Sequence, residues 1–276
     1  MRLFSAILVL ASLAAAARAQ ITIVTQSSFS FTPSTVTVPV GDTVRWVWTS
    51  TAHTVTEGTD GILDWDEPII GFLNASQTSF DHVFDANFVR ANPRALGRYD
   101  YFCEPHFPGM KGIVFLSATG TSFCSADGSS PVPCPCGNTG SAGRGCNNST
   151  NSGGGKLQAN GSAAQDAFTL TATGINSNAL SIFLQGDNLL ASPVVFGDGL
   201  RCFGGALKRI AVKNAAGSTV FYPGINEPTV RTKANSLGDS IQSGSVRHYL
   251  VYYRDPSTSF CPSATFNATQ GLTIQY

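Results

Sequence analysis

Tyr101-Phe-Cys-Glu-Pro-His-Phe-Pro-Gly-Met110 is the stretch that organises the chain. It places a thiol (Cys103), an imidazole (His106) and a thioether (Met110) within eight residues. A second imidazole, His53, stands upstream in Thr51-Ala-His-Thr-Val-Thr56. No regular element brings Cys-x2-His-x3-Met to one point, because a strand alternates its side chains and a helix spreads them around its axis. A short loop does, and Pro105, Pro108 and Gly109 are loop residues.

Two imidazoles, a thiolate and a weak axial thioether form the donor set of a type 1 copper site. Thiolate and thioether suit Cu(I), and imidazole accepts both oxidation states. The donors read from the sequence are therefore His53, Cys103, His106 and Met110. With all four positions filled by protein, such a site leaves no place for a substrate and points to electron transfer, not to an enzyme. A copper oxidase or reductase would need further His clusters, and the chain has four His, two of them already used.

The surrounding motifs resemble those of a cupredoxin of the plastocyanin-like group. The matching residues are Val38-Pro-Val-Gly-Asp-Thr-Val-Arg-Trp46, His53-Thr-Val, Gly97-Arg-Tyr-Asp-Tyr-Phe-Cys-Glu-Pro-His106 and Gly109-Met-Lys-Gly112. They fall within residues 20–118. Three residues separate His106 from Met110, where plastocyanins usually have four and amicyanin-like members two. The resemblance implies a Greek-key β-sandwich holding one copper that cycles between Cu(I) and Cu(II) and exchanges single electrons with a redox protein partner. It implies that electrons pass at the His106 edge, inside an apolar rim of Phe107 and Pro108. It also implies a role for Thr54: the residue after the first His is a hydrogen-bonding position in that group, so the Thr54 hydroxyl is expected to hold the loop bearing Cys103.

Outward from the motif, residues 20–118 read as strands. Ile21–Val24 and Val36–Val38 alternate, Val44, Trp46 and Trp48 share a face, and Tyr99, Tyr101 and Cys103 share another. Ile113–Leu116 is a closing strand, and Gly41-Asp42 and 93–97 are turn signals. His82, mid-strand and outside any ligand spacing, is expected to be structural.

The N-terminal segment carries Arg2, an apolar run from Leu3 to Ala17 and a small-x-small site at Ala17-Arg-Ala19. These are the parts of a signal peptide over residues 1–19, and no later run is long enough to span a membrane. The expected product is exported, to a periplasmic or extracellular space. Formal net charge is zero and charged residues make up 12% of the chain, with no basic run, so nucleic acid is not an expected partner. The neutrality conceals an asymmetry. Residues 20–118 hold five Lys or Arg and ten Asp or Glu, whereas residues 119–276 hold ten and seven. Asp60, Asp64, Asp66 and Glu67 cluster after His53 and read as a solvated acidic loop, with steering of a basic redox partner as the alternative.

From residue 119 the composition changes. Residues 119–155 form a Cys/Gly-rich connecting segment containing Cys124, Cys134, Cys136 and Cys146, with a flexible stretch expected at 147–155. Residues 156–276 read as a second β-sandwich, with strands at Ala179–Gln185, Leu207–Lys213 and Val246–Arg254. It looks only vaguely like an uncharacterised secreted bacterial module, and its His248 reads as structural. The whole chain is thus expected to be all-β. Seven Cys less the thiolate at Cys103 leave six, which in an exported chain form disulfides. Cys134 and Cys136 are too close to bridge each other. The expected pattern joins each to Cys124 or Cys146, and Cys202 to Cys261. Asn74, Asn147, Asn148, Asn160 and Asn267 match the short glycosylation pattern. Because the C-terminal half has no functional motif, a cell-surface or adhesion role for a protein that carries a copper-binding domain stands as the alternative function.

Overall fold

The computed structural model describes residues 19–58, 70–261 and 264–276. The acidic cluster at 60–67 and all of the leader but Ala19 lie outside the described residues. The N-terminal part contains β1 (Ile21–Ser27), β2 (Ser30–Thr32), β3 (Thr35–Val38), β4 (Thr43–Trp48), β5 (His53–Glu57), β6 (Ile70–Leu73) and β7 (Ser79–Val83). A helix α1 (Ala86–Ala91) follows, then β8 (Arg98–Phe102) and β9 (Lys111–Leu116). Two sheets result, one in the order β2-β1-β4-β7 and the other β3-β9-β8-β5-β6. β1 runs parallel to β4 and β3 parallel to β9, and the remaining pairs are antiparallel. This is a Greek-key sandwich.

Period-two alternation builds its core. Val24, Val44, Trp46, Tyr99, Tyr101, Val114 and Leu116 are all buried between the sheets. Tyr101 is the pivot: its ring packs edge-on against Phe31 at 4.8 Å and Trp46 at 5.2 Å. Gly112 lies directly across the ladder from Tyr101. A Cβ there would overlap the Tyr101 ring, so the position admits no side chain. Asp85 caps α1 by accepting from Phe88 N at 2.8 Å.

The second part contains β10 (Ala118–Thr119), β11 (Thr121–Phe123), β12 (Lys156–Ser162), β13 (Ala167–Thr173), β14 (Leu180–Gly186), β15 (Asn188–Phe196) and β16 (Gly199–Gly204). β17 (Lys208–Asn214), β18 (Thr219–Tyr222), helix α2 (Val230–Ser236), β19 (Val246–Arg254), β20 (Phe266–Ala268) and β21 (Gly271–Gln275) complete it. One sheet is β10-β12-β13-β18, and the other is β11-β21-β19-β14-β17 with β20 beside β19. They enclose a second core that includes Leu170, Phe183, Val251, Tyr253 and Ile274. β15 and β16 form a separate hairpin. The chain leaves β9 and enters both sheets at once through β10 and β11. Among the described residues no helix is long and apolar enough to cross a membrane.

The two sandwiches touch along the loop before β8. Leu96 N donates to Thr171 Oγ1 at 2.9 Å, the Thr169 hydroxyl donates to Arg94 O at 2.9 Å, and Asn160 Nδ2 donates to Leu116 O at 3.1 Å. Ala167 belongs to the first core.

Three disulfides are present, but not in the expected pattern: Cys124–Cys202, Cys134–Cys146 and Cys136–Cys261. Cys202 and Cys261 do not pair. The connecting segment lies against the second sandwich, so each of those two finds a partner in the segment. Cys134 and Cys136 flank a single turn and diverge to different partners, as their spacing required. The flexibility expected at 147–155 is also corrected. Asn148 is wholly buried, with Nδ2 donating to Gly174 O and the Tyr253 hydroxyl while Oδ1 accepts from Thr150. The amides that made the stretch look like a linker replace missing ladder bonds. Asn148 and Asn267 are buried and hydrogen-bonded, which removes both as glycan acceptors.

Candidate metal centre

The site forms at one end of the β3-β9-β8-β5-β6 sheet. His53 opens β5, and Cys103 is the residue after β8, so the β5–β8 pairing brings two residues fifty apart to one end of the sandwich. The loop from Cys103 to Met110 then closes on itself. Cys103 N donates to Met110 O at 3.0 Å, and His106 O accepts from Gly109 N at 3.0 Å and from Met110 N at 3.1 Å. This fold-back is what Pro105, Pro108 and Gly109 permit.

His53 Nδ1, Cys103 Sγ and His106 Nδ1 converge. Sulfur lies 3.5 Å from the first nitrogen and 3.3 Å from the second, and the three donor atoms all lie within 4.8 Å of one another. Bonds of about 2.3 Å to thiolate and about 2.0 Å to imidazole put sulfur and nitrogen roughly 3.5–3.7 Å apart around one metal. The gap is therefore metal-sized. Cys103 is also the free cysteine, fully buried. Met110, the fourth residue named from the sequence, is fully buried in the same core cluster as Cys103. The residues present fit a copper ion.

The surroundings fix these donors. Thr54 N donates to Cys103 Sγ at 3.4 Å, and the Thr54 hydroxyl accepts from Glu104 N at 2.9 Å. That is the contact expected of Thr54. Thr56 Oγ1 lies 3.0 Å from Thr54 Oγ1 and 3.0 Å from Glu104 Oε1, extending the network to the loop's carboxylate. On the far side of His53, Nε2 meets Thr51 Oγ1 at 2.5 Å. With Nε2–H donating there, the tautomer leaves Nδ1 free to face sulfur. Thr51 has a left-handed backbone, φ 55°, unusual for a β-branched residue. The Trp48 indole N–H donates to its carbonyl. Burial pushes the His53 imidazole below its ordinary pKa, and the neighbouring His106 adds to this.

His53 is buried, whereas His106 is half-buried at the surface. Phe29, exposed in the β1–β2 turn, packs its ring 4.8 Å from His106, and exposed Phe107 packs 5.5 Å from Phe102. The apolar rim thus contains Phe29 as well as Phe107. Thr51, Trp48 and Phe29 were not legible as site residues: a hydroxyl two positions before a His is common, and Phe29 arrives only through the sandwich topology.

The other two His are apart from this centre. His82 packs between Phe84 at 4.8 Å and Phe88 at 4.4 Å, and burial pushes its pKa down to about 4. His248 is buried with Nδ1 3.0 Å from Thr273 Oγ1.

A family model described as copper binding proteins of the plastocyanin/azurin family matches residues 18–117. A plastocyanin from Scenedesmus fuscus is 34% identical over 96 residues, which is 30% of this chain and 83% of that protein. Among solved structures, a Cu(I) form of an amicyanin variant is 25% identical and covers 35% of this chain and 82% of that one, with a TM-score of 0.28. Amicyanin from Paracoccus versutus (Thiobacillus versutus) is 25% identical and covers 38% and 86%, with a TM-score of 0.27. Scores of that size carry no argument about the fold.

Proposed function

Because the chain belongs to the plastocyanin/azurin family of copper binding proteins, we propose that it is an exported one-electron carrier whose single type 1 copper is held by His53, Cys103, His106 and Met110. The observation that carries this reading is the convergence of His53 Nδ1, Cys103 Sγ and His106 Nδ1 around the buried free thiol. Bound there, copper would supply a Cu(I)/Cu(II) couple.

The chain's own residues do the rest. Thr54 N–H donates to the thiolate, and its hydroxyl pins Glu104, so the loop keeps one shape in both oxidation states. Thr51 sets the tautomer of His53. Burial of Cys103 and Met110 excludes water from the donors. His106 alone of the three converging residues reaches the surface, and Phe29, Phe107 and Pro108 around it suit a small apolar contact with a redox protein. The disulfides fit an oxidising compartment, and with the leader-like residues 1–19 they support export.

Voltammetry of the copper-loaded chain tests this function. A reversible one-electron wave that disappears in Cys103→Ala supports the carrier. A protein that binds copper without such a wave favours the surface-protein alternative, which the large second sandwich keeps in view.

A further inference from the structure

The outer face of the β11-β21-β19-β14-β17 sheet is only partly covered. The β15–β16 hairpin lays Phe203 against Leu184, Leu250 and Ala268. Beyond the hairpin the face continues as a groove made of two cavities, about 240 and 220 Å³, that meet at Arg209 and Tyr252. Its floor is aromatic: Phe196, Tyr252 and Phe266 lie with ring centroids 5.0–5.9 Å apart. Its rim is basic. Arg254 borders one cavity, Arg201 the other, and Arg209 both. Among the described residues none of the three has a carboxylate at ion-pair distance. Arg201 lies over the Phe196 ring at 5.6 Å, and Arg254 donates to the Thr265 hydroxyl at 2.8 Å.

This positive charge is not neutralised from within the same half. Residues 119–276 have seven acids. Two pair with Lys213 and Arg247, two are buried, and the other three accept from backbone or hydroxyl groups elsewhere. A concave site of apolar rings with a few charged groups at its margin is the form of a ligand site, and guanidinium matches carboxylate geometry. The groove lies on the face of the sheet, where side chains alone are offered. A peptide extending the sheet would instead use the edge strand β17.

We propose that this groove binds a polysaccharide whose sugars carry carboxylates, with the carboxylates on Arg209 and Arg254 and the C–H faces of the sugar rings against Tyr252 and Phe266. The site is independent of the copper reading and gives the second sandwich a role in placing the protein on an acidic glycan.

Isothermal titration of the intact protein with polygalacturonate oligomers at low salt tests the proposal. Fully methyl-esterified oligomers serve as the neutral-sugar control, polyglutamate as the charge-only control and phosphatidylserine vesicles as the lipid control. Polygalacturonate should bind at least tenfold more tightly than any control. Arg209→Gln and Arg254→Gln, both at exposed positions, should each weaken it about tenfold, a change of about 1.4 kcal/mol. Lys233→Gln on α2 should leave it unchanged. Thermal melts confirm that each variant is folded. Equal binding of polyglutamate or vesicles would overturn the glycan assignment, and unchanged affinity in the folded arginine variants would overturn the groove.

Discussion

Replacing Thr51 with Val removes a single oxygen from the metal centre while keeping the side chain's shape. Thr51 Oγ1 receives the Nε2–H of buried His53. In the Val variant that N–H keeps only the Ser50 backbone as a partner, and a lost hydrogen bond costs about 0.5–1.5 kcal/mol. The apo protein relieves part of this by turning the ring, which moves Nδ1 away from Cys103 Sγ, now 3.5 Å distant. The cost therefore appears as copper affinity. Loss of a hydrogen-bond partner behind a metal-binding His typically lowers affinity about 10–100-fold. Chelator competition for Cu(I) measures it directly. Thr51→Ser should restore most of the affinity. Thr51→Gly separates two effects, because glycine accepts φ 55° freely while lacking the hydroxyl. Relief of about 1–2 kcal/mol of left-handed strain offsets the greater freedom of the unfolded chain, about 0.4–1 kcal/mol. Thr51→Gly should thus melt near the wild-type temperature yet bind copper as weakly as Thr51→Val. If the Val variant binds within twofold of wild type, the account of His53 positioning is wrong.

Met110→Gln should retain copper and lower the reduction potential, because an oxygen donor favours Cu(II); a rise or no shift in voltammetry would count against Met110 as axial ligand. The pH dependence of unfolding should show His82. Its folded pKa of about 4 lies below the ordinary imidazole value of 6.5. Its stabilising contribution is therefore complete above pH 6.5, falls as pH drops towards 4 and levels off below. The full shift corresponds to at most ~3 kcal/mol. His82→Phe should remove that slope from chemical-denaturation midpoints, and a persistent slope would assign it to other groups. Peptide mapping without reduction should recover Cys124–Cys202, Cys134–Cys146 and Cys136–Cys261; a Cys202–Cys261 peptide would contradict the structure. A truncated chain of residues 20–118 should fold and bind copper, since it keeps His53, Cys103, His106 and Met110 and all of the first core but Ala167, and otherwise loses the buried hydroxyls of Thr169 and Thr171 and the Asn160 amide as partners of Arg94, Leu96 and Leu116. A potential more than about 60 mV from that of the intact protein, a tenfold change in a one-electron equilibrium, would show that the second sandwich shapes the site.

The elements that period-two patterning defines were legible. Val44 and Trp46 mark β4, Tyr99 and Tyr101 mark β8, and Val246–Arg254 coincides with β19 end to end. The convergence of His53, Cys103 and His106 was legible because Cys103 and His106 share one short loop, where local chain geometry limits the arrangement. Contacts that depend on topology were not. Thr51 acts through a left-handed turn that a β-branched residue does not advertise, and Phe29 reaches His106 across the sandwich end. The disulfide pattern failed for the same reason. Pairing was inferred from position along the chain, yet the connecting segment enters the second sandwich through β10 and β11, bringing Cys124 and Cys136 to distant partners.

The central claim is that His53, Cys103, His106 and Met110 form one copper site with a thiolate ligand. Titrating the intact chain with Cu(II) while recording its visible absorption tests this most directly. The account predicts an intense thiolate-to-copper band that saturates at one copper per chain and is absent from Cys103→Ser. A copper-loaded protein that stays colourless, or a band that survives in Cys103→Ser, would contradict it.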